Sequence, residues 1–311
     1  MLATIFNKTK PINYLLIAFA LVIVFVSYYI FNFSAPLSAY AVFQISSIFI
    51  LLLISFFWLN FISQKNELSK SNNYALLVLL LLVALNPQVF NNINLVISNF
   101  FILLAFRRIV SLRTFKSNKQ KIFDASLLIF IASLFHIYAL VFIVVIFVAI
   151  LIYSFAEAKN LLIPFIALVS VATIYVTIDS LQDFKLLTAL LHDVYLPYQS
   201  LTFPSVYAHI SFSLYIAFSI LVLLYGIIQL PKKQQNIKGT YTITFFMYLA
   251  GLFVYILESN KDNSVLLFSM VPTALLAANF IEEIPKNKFK DAVLYTIASV
   301  SLILFFFQLN G

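Results

Sequence analysis

Long apolar runs follow one another along the chain and are separated by short polar segments. Most runs approach the about 20 apolar residues that a transmembrane helix needs, and none shows the short alternation of barrel strands. The pattern predicts an all-α polytopic membrane bundle of eleven spans, at about 13–32, 40–63, 73–86, 93–111, 122–136, 138–156, 161–178, 206–229, 240–257, 264–281 and 292–309.

The run 122–156 is too long for one span. A single helix of that length would extend about 52 Å at 1.5 Å per residue, whereas a hydrocarbon core is about 30 Å thick. It either crosses as one steeply tilted helix or turns back near His136, within "SLFHIYAL", and forms two short spans.

Charge distribution favours two spans. With a turn near His136, all of the 19 lysine and arginine residues except Lys185 and Lys261 fall on one side; with one span, the basic segments 230–239 and 282–291 change sides. Basic residues concentrate in cytoplasmic loops. The sequence therefore predicts a bacterial cytoplasmic (inner) membrane protein with its N-terminus inside and its C-terminus outside.

Composition agrees with a chain buried in lipid. Hydrophobic residues make up 63% and charged residues 10% of the sequence, against about 45–50% and about 25% in soluble domains. We expect one transmembrane domain over 1–311, with spans one to seven in 1–178, spans eight to eleven in 206–311, and between them an extracytoplasmic loop, 179–205, that contains an amphipathic helix.

Several functional classes are disfavoured. The net charge of +8 is interpreted as a topology signal, so no nucleic-acid partner is expected. The absence of cysteine excludes disulfides, thiol catalysis and cysteine-ligated metal. There is no Walker loop, glycine-rich nucleotide cradle or H-E-x-x-H motif, and we expect no cofactor and no metal.

Polar residues at the predicted span ends have structural interpretations. The asparagine-rich stretch from Asn86 to Asn92 predicts an extracytoplasmic turn, and Arg107 and Arg108 are expected to reach lipid headgroups from the cytoplasmic end of span four. Asp124 is expected to cap a helix N-terminus. The pair Glu282–Glu283 is expected to lie in a solvated cytoplasmic turn.

Groups suited to acid–base chemistry collect on the extracytoplasmic side. All three histidines and several acids are predicted there. If the protein catalyses a reaction, these are the groups that can move protons. The candidate site residues are His136, His192, Asp193, His209 and Glu258.

The runs "NPQVFNNINLVISNFFILLAFRRI" and "KIFDASLLIFIASLFHIYALVFIVVIFVAIL" resemble a family of bacterial polytopic membrane proteins of unassigned function. That resemblance covers most of the chain, including "NKTKPINYLLI". A more distant resemblance, of layout over about residues 1–180, is to the GT-C superfamily of membrane glycosyltransferases, and it implies polyprenyl-phosphate sugars as substrates. Those enzymes place a catalytic acid in the first extracytoplasmic loop. The stretch "FNFSAPLSAYAVFQ" contains no Asp or Glu, so no catalytic residue can be carried over.

Three functions remain open at this point. The first is a membrane protein that handles a lipid-linked substrate of the polyprenyl-phosphate type at the outer face, with the candidate residues converging there. The second is a non-catalytic subunit or scaffold that binds another membrane protein during envelope assembly or secretion. The third is a transporter, which needs a polar site in the middle of the membrane.

Overall fold

The computed structural model describes residues 1–32, 38–154, 157–181, 205–258 and 261–310. Within these ranges the fold is all-α, with no strand. The helices are α1 (Leu2–Phe6), α2 (Pro11–Asn32), α3 (Ala39–Lys65), α4 (Tyr74–Leu85), α5 (Ile93–Val110), α6 (Asn118–Phe135), α7 (Ile143–Tyr153), α8 (Ile163–Ser180), α9 (Val206–Gln229), α10 (Gln235–Leu257), α11 (Leu267–Glu283) and α12 (Asn287–Asn310).

Each of the eleven predicted spans corresponds to one helix from α2 to α12, and α1 was not predicted. Among the described residues, eight helical segments are long and apolar enough to cross a membrane. Two further apolar helices are shorter, Tyr74–Leu85 and Ile137–Tyr153, while α6 carries three charged residues in its N-terminal half. The chain is therefore a polytopic α-helical membrane protein. The amphipathic helix predicted within 179–205 falls largely outside the described residues.

The predicted break near His136 is present. His136 follows α6 with extended backbone angles, φ −150° and ψ 103°, and its N–H still donates to the carbonyl of Ala132 at 3.1 Å. A 3-10 turn over Ile137–Phe142 then leads into α7. The run 122–156 therefore forms two short helices, although α7 begins five residues later than the predicted start at 138 because the turn takes up that stretch.

The shortest predicted span, 73–86, lies inside the protein. All residues of α4 are buried, and α2, α3, α11 and α12 pack around it. At 1.5 Å per residue α4 is about 18 Å long, too short for lipid but sufficient where other helices surround it. In the α11 segment, 94% of the most apolar stretch is buried inside the protein, whereas in the α8 segment 17% of this stretch is buried. Helix α8 therefore belongs to the lipid-facing shell.

Helices α10 and α11 approach each other at backbone distance. A Cβ built on Gly251 of α10 would lie 2.7 Å from the backbone nitrogen of Ser269 in α11. Glycine provides the room for this contact, as small residues commonly do between membrane helices.

The charged segments gather at one end of the bundle, which we call the basic end. Ion pairs there join Glu67 to Arg113, Lys119 to Glu157 and Lys233 to Glu283. At the opposite end the helices are tied by neutral hydrogen bonds. For example, the Gln88 and Gln308 side chains lie 2.8 Å apart, and Tyr29 donates to the carbonyl of Phe90 at 2.6 Å.

Two predictions for single polar residues were wrong. Asp124 does not cap a helix, since α6 begins at Asn118, six residues earlier. Its carboxylate instead lies 3.2 Å from the Arg108 guanidinium. Glu282 does not lie in a solvated turn but lines a cavity at the basic end. In contrast, Asn92 caps α5 by accepting the N–H of Leu95 at 3.0 Å.

Candidate functional site

The structure brings two of the predicted site residues into contact at the end opposite the basic one. His136 Nε2 lies 3.2 Å from Glu258 Oε2, and the two side chains are 15% and 14% exposed. Neither atom contacts solvent, and neither makes an aligned hydrogen bond with a described residue. The two atoms are thus at ion-pair distance, and each can still form a hydrogen bond with a ligand.

Helix ends position both side chains. Glu258 directly follows α10, where its N–H donates to the carbonyl of Val254 at 3.0 Å. His136 directly follows α6. The imidazole ring lies between two aromatic rings, with centroid distances of 5.4 Å to Phe268 and 5.8 Å to Tyr138. This aromatic environment reduces access of water to the imidazole.

Lys261 adds a cation to the same end. Its ammonium donates to the carbonyls of Tyr255 at 2.9 Å and Ile256 at 2.6 Å, which satisfies the free C-terminal carbonyls of α10. Burial lowers the pKa of Lys261, and the nearby Glu258 carboxylate opposes that effect. A poorly solvated ammonium gains from an anionic ligand more than a fully exposed one does.

Further polar atoms in this region are buried without a partner. The Tyr255 hydroxyl and Asn263 Oδ1 make no hydrogen bond with any described residue. Asn263 uses its Nδ2 to donate to the carbonyl of Ala208 at 2.8 Å, and Asp262 accepts from the Ser264 hydroxyl at 2.6 Å. Buried polar groups are normally paired, so unpaired ones next to a histidine–carboxylate pair suggest a site for a polar ligand.

We refer to His136, Tyr255, Glu258, Lys261 and Asp262 as the His–Glu site. It combines groups that can donate to an anion, Lys261 and a protonated His136, with carboxylates that can accept a proton or orient the imidazole. The described part of the chain contains no group of three His, Asp or Glu arranged to hold a metal ion.

The remaining predicted site residues lie elsewhere. His209 is on an exposed face of α9, and His192 and Asp193 fall outside the described residues. At the basic end, the Arg107 guanidinium lies over the rings of Trp58 and Phe61, with distances of 5.0 Å and 4.9 Å to their centroids. The proposed contact of Arg107 and Arg108 with lipid headgroups stays a prediction.

Sequence reasoning missed Tyr255, Lys261 and Asp262 as site residues. The signal was present, because Tyr255, Glu258, Lys261 and Asp262 all occur in "YILESNKD", where α10 ends. A cluster of ionisable residues at the end of a span indicates a site more strongly than a single one does. Sequence reasoning also missed the cavity at the basic end, for which the sequence offers no local pattern.

Comparison with known proteins places the chain in a family but not in a functional class. No curated protein and no solved structure matches it. A family model does match, over residues 1–310, and its description is "Family of unknown function (DUF6427)". Since that match covers nearly the whole chain, the protein belongs to this family of unknown function.

Proposed function

We propose that this membrane protein binds a lipid-linked substrate of the polyprenyl-phosphate type through the His–Glu site, at the outer face of the bacterial cytoplasmic membrane. We assign the orientation of the protein in the membrane from its charge. Cytoplasmic loops usually carry an excess of Lys and Arg, so the basic end is assigned to the cytoplasm. The His–Glu site then lies towards the extracytoplasmic side.

The convergence of His136 and Glu258 is the observation that carries the proposal. The two residues are distant in the sequence, belong to different helices, and meet at 3.2 Å away from solvent. Removing ionisable groups from water is costly unless they are paired, and ionisable residues at membrane depth are functional candidates. A helix end without a binding role needs only a polar capping residue, and not a buried histidine–carboxylate pair.

The chemistry of the site suits a phosphate group attached to a lipid. Lys261 and a protonated His136 can donate to phosphate oxygens. The Glu258 carboxylate can orient the imidazole or accept a proton from an acceptor hydroxyl. In the GT-C layout that the sequence resembles, Glu258 would thereby supply the outer-face carboxylate that the first extracytoplasmic loop lacks.

An apolar groove between α2 and α3 supports the lipid part of the proposal. It has a volume of about 390 Å³ and is lined by residues such as Phe25, Val42 and Phe49. These residues lie in the halves of α2 and α3 nearer the His–Glu site. The Phe25 ring also lies 5.1 Å from that of Phe90, in the turn before α5. This largely apolar lining is chemically suited to an isoprenoid chain.

Undecaprenyl phosphate is the probe that tests the proposal. Its occupancy on the purified protein in detergent is measured by native mass spectrometry for the wild type and for His136→Gln, Glu258→Gln and Lys261→Gln. Neutral undecaprenol serves as the ligand control and His209→Gln as the matched protein control. A charge-assisted hydrogen bond contributes about 1.5–3 kcal/mol, so Lys261→Gln should weaken phosphate binding about tenfold or more.

Two results would contradict the proposal. One is equal binding of the phosphate and the alcohol by the wild type. The other is unchanged phosphate binding in all three site variants, which would favour a non-catalytic subunit that binds another membrane protein. The His–Glu site is supported if the wild type binds the phosphate and His209→Gln retains this binding, whereas the three site variants do not.

A further inference from the structure

A polar cavity of about 370 Å³ opens at the basic end. It lies between the segment that follows α3, the first turns of α10 and the last turn of α11. Its volume falls within the about 300–1,000 Å³ of small-molecule sites. The residues that matter for its chemistry are Glu67, Lys70, Lys233, Tyr241, Asn279 and Glu282.

The floor of the cavity is fixed by hydrogen bonds. Tyr241 donates to the carbonyl of Leu68 at 3.0 Å and to Asn279 Oδ1. Asn279 Nδ2 donates to the same carbonyl at 2.7 Å. Both side chains are buried, so α10, α11 and the chain segment after α3 are joined below the opening and the cavity keeps its shape.

Two opposite charges are left available in the cavity. Glu282 Oε1 accepts from the backbone N–H of Lys70 at 3.0 Å and from Asn72 Nδ2 at 2.6 Å. Within the described residues, Glu282 Oε2 and the Lys70 ammonium make no ion pair or hydrogen bond. The Lys233 ammonium pairs with Glu283 at 2.7 Å and lies 5.0 Å from the centre of the Tyr241 ring. The cavity thus offers a carboxylate oxygen and an ammonium that make no direct contact, although the charge of Lys70 acts on Glu282, and a second ammonium lies nearby.

The depth of the cavity matches that of lipid headgroups. Asn279 is four residues from the end of α11 and Tyr241 six residues from the start of α10, which is about 6–9 Å of helix. The polar layer on each side of a bilayer is about 5–7 Å thick, from a total of about 40–45 Å and a core of about 30 Å. If the ends of α10 and α11 lie at the outer edge of this layer, a ligand in the cavity is level with the headgroups of one leaflet.

We propose that this cavity binds a zwitterionic phosphoethanolamine group, with the primary ammonium on Glu282 and the phosphate on Lys70 and Lys233. A headgroup with net negative charge would itself carry no cation to pair with Glu282 or Glu67. A choline group carries no N–H to donate to Glu282. An ammonium and a phosphate in one molecule pair with both charges. This proposal does not rest on the one made for the His–Glu site.

Native mass spectrometry of the purified full-length protein, incubated with equal amounts of phosphatidylethanolamine, phosphatidylglycerol or phosphatidylcholine, tests the proposal. We expect phosphatidylethanolamine to be preferred, and its occupancy to fall about tenfold in Glu282→Gln and in Lys70→Gln through loss of a charge-assisted contact. Glu157→Gln is the matched control, because Glu157 lies at the same end, in an exposed pair with Lys119. Thermal unfolding curves establish that each variant is folded.

Glycerophosphoethanolamine, which lacks acyl chains, distinguishes a lipid from a soluble ligand. If it binds only weakly but competes with the lipid, the ligand is a membrane lipid; if it binds alone and the lipid does not, the same chemistry serves a soluble zwitterion. The proposal is overturned if the wild type retains the three lipids equally, or if both cavity variants retain phosphatidylethanolamine as the wild type does.

Discussion

Removing the His136–Glu258 contact should reveal a measurable coupling between the two side chains. At 3.2 Å and an effective dielectric constant of about 20, the attraction of two unit charges is about 5 kcal/mol. Desolvation of both groups offsets much of this attraction. Because both side chains are mostly buried but not fully enclosed, we expect a net coupling of about 1–3 kcal/mol, in the range found for contacting residues.

A double-mutant cycle measures this quantity. The free energy of unfolding is determined in mixed detergent micelles for the wild type, His136→Ala, Glu258→Ala and the double variant, and helicity is followed by circular dichroism. The pair Lys119–Glu157 provides the matched control. Its charged atoms lie 3.0 Å apart, but the side chains are 66% and 58% exposed. Exposed pairs of this kind couple by about 0.2–1 kcal/mol.

The comparison between the two cycles decides the outcome. A coupling at His136–Glu258 that clearly exceeds that of Lys119–Glu157 agrees with a contact shielded from water. If the two cycles give equal values, or if the His136–Glu258 value is below about 0.5 kcal/mol, the lower end for interacting residues, the reasoning from distance and burial is refuted.

Three further outcomes are expected. Gly251→Ala should lower the free energy of unfolding by about 1–3 kcal/mol, as overpacking does, because the new Cβ would lie 2.7 Å from the backbone of Ser269; an unchanged denaturation midpoint would contradict this. Asn92→Ala should cost about 1 kcal/mol through loss of the cap on α5, measured in the same assay. Since the native chain has no cysteine, single replacements report topology: Leu181→Cys should react with an impermeant maleimide in intact cells and Lys288→Cys only after permeabilisation, and the reverse pattern would invert the proposed orientation.

The positions of the transmembrane helices could be predicted from the sequence, because they depend on the length of each apolar run and on the summed charge of the segments between the runs. Hydrophobic length limits each span, and the sum of basic residues on each side favours a chain that turns back near His136. The structure places the break there. Ser98 and Asn99 were similarly predictable as inward-facing, since lipid disfavours them; both are buried, and the Ser98 hydroxyl donates to the carbonyl of Ala132 at 2.9 Å.

The sites were less predictable because they depend on which helix ends meet. The sequence placed His136, His209 and Glu258 on one side but could not indicate that α6 and α10 end beside each other while α9 leaves His209 on an exposed face. For the same reason Glu282 was assigned to a solvated turn. Its hydrogen bonds with Lys70 and Asn72 connect distant parts of the chain, and no local pattern encodes them.

The two proposed sites depend on the same pair of helices. At the basic end, α10 supplies Tyr241 and α11 supplies Glu282; at the opposite end, α10 leads into Glu258, and α11 supplies the Phe268 ring beside His136. The close contact at Gly251 lies between these ends. A Cβ there must move one helix relative to the other, because its nearest neighbours are backbone atoms. Gly251→Ala should therefore weaken ligand binding at both ends, whereas Glu282→Gln and Lys261→Gln should each affect only one.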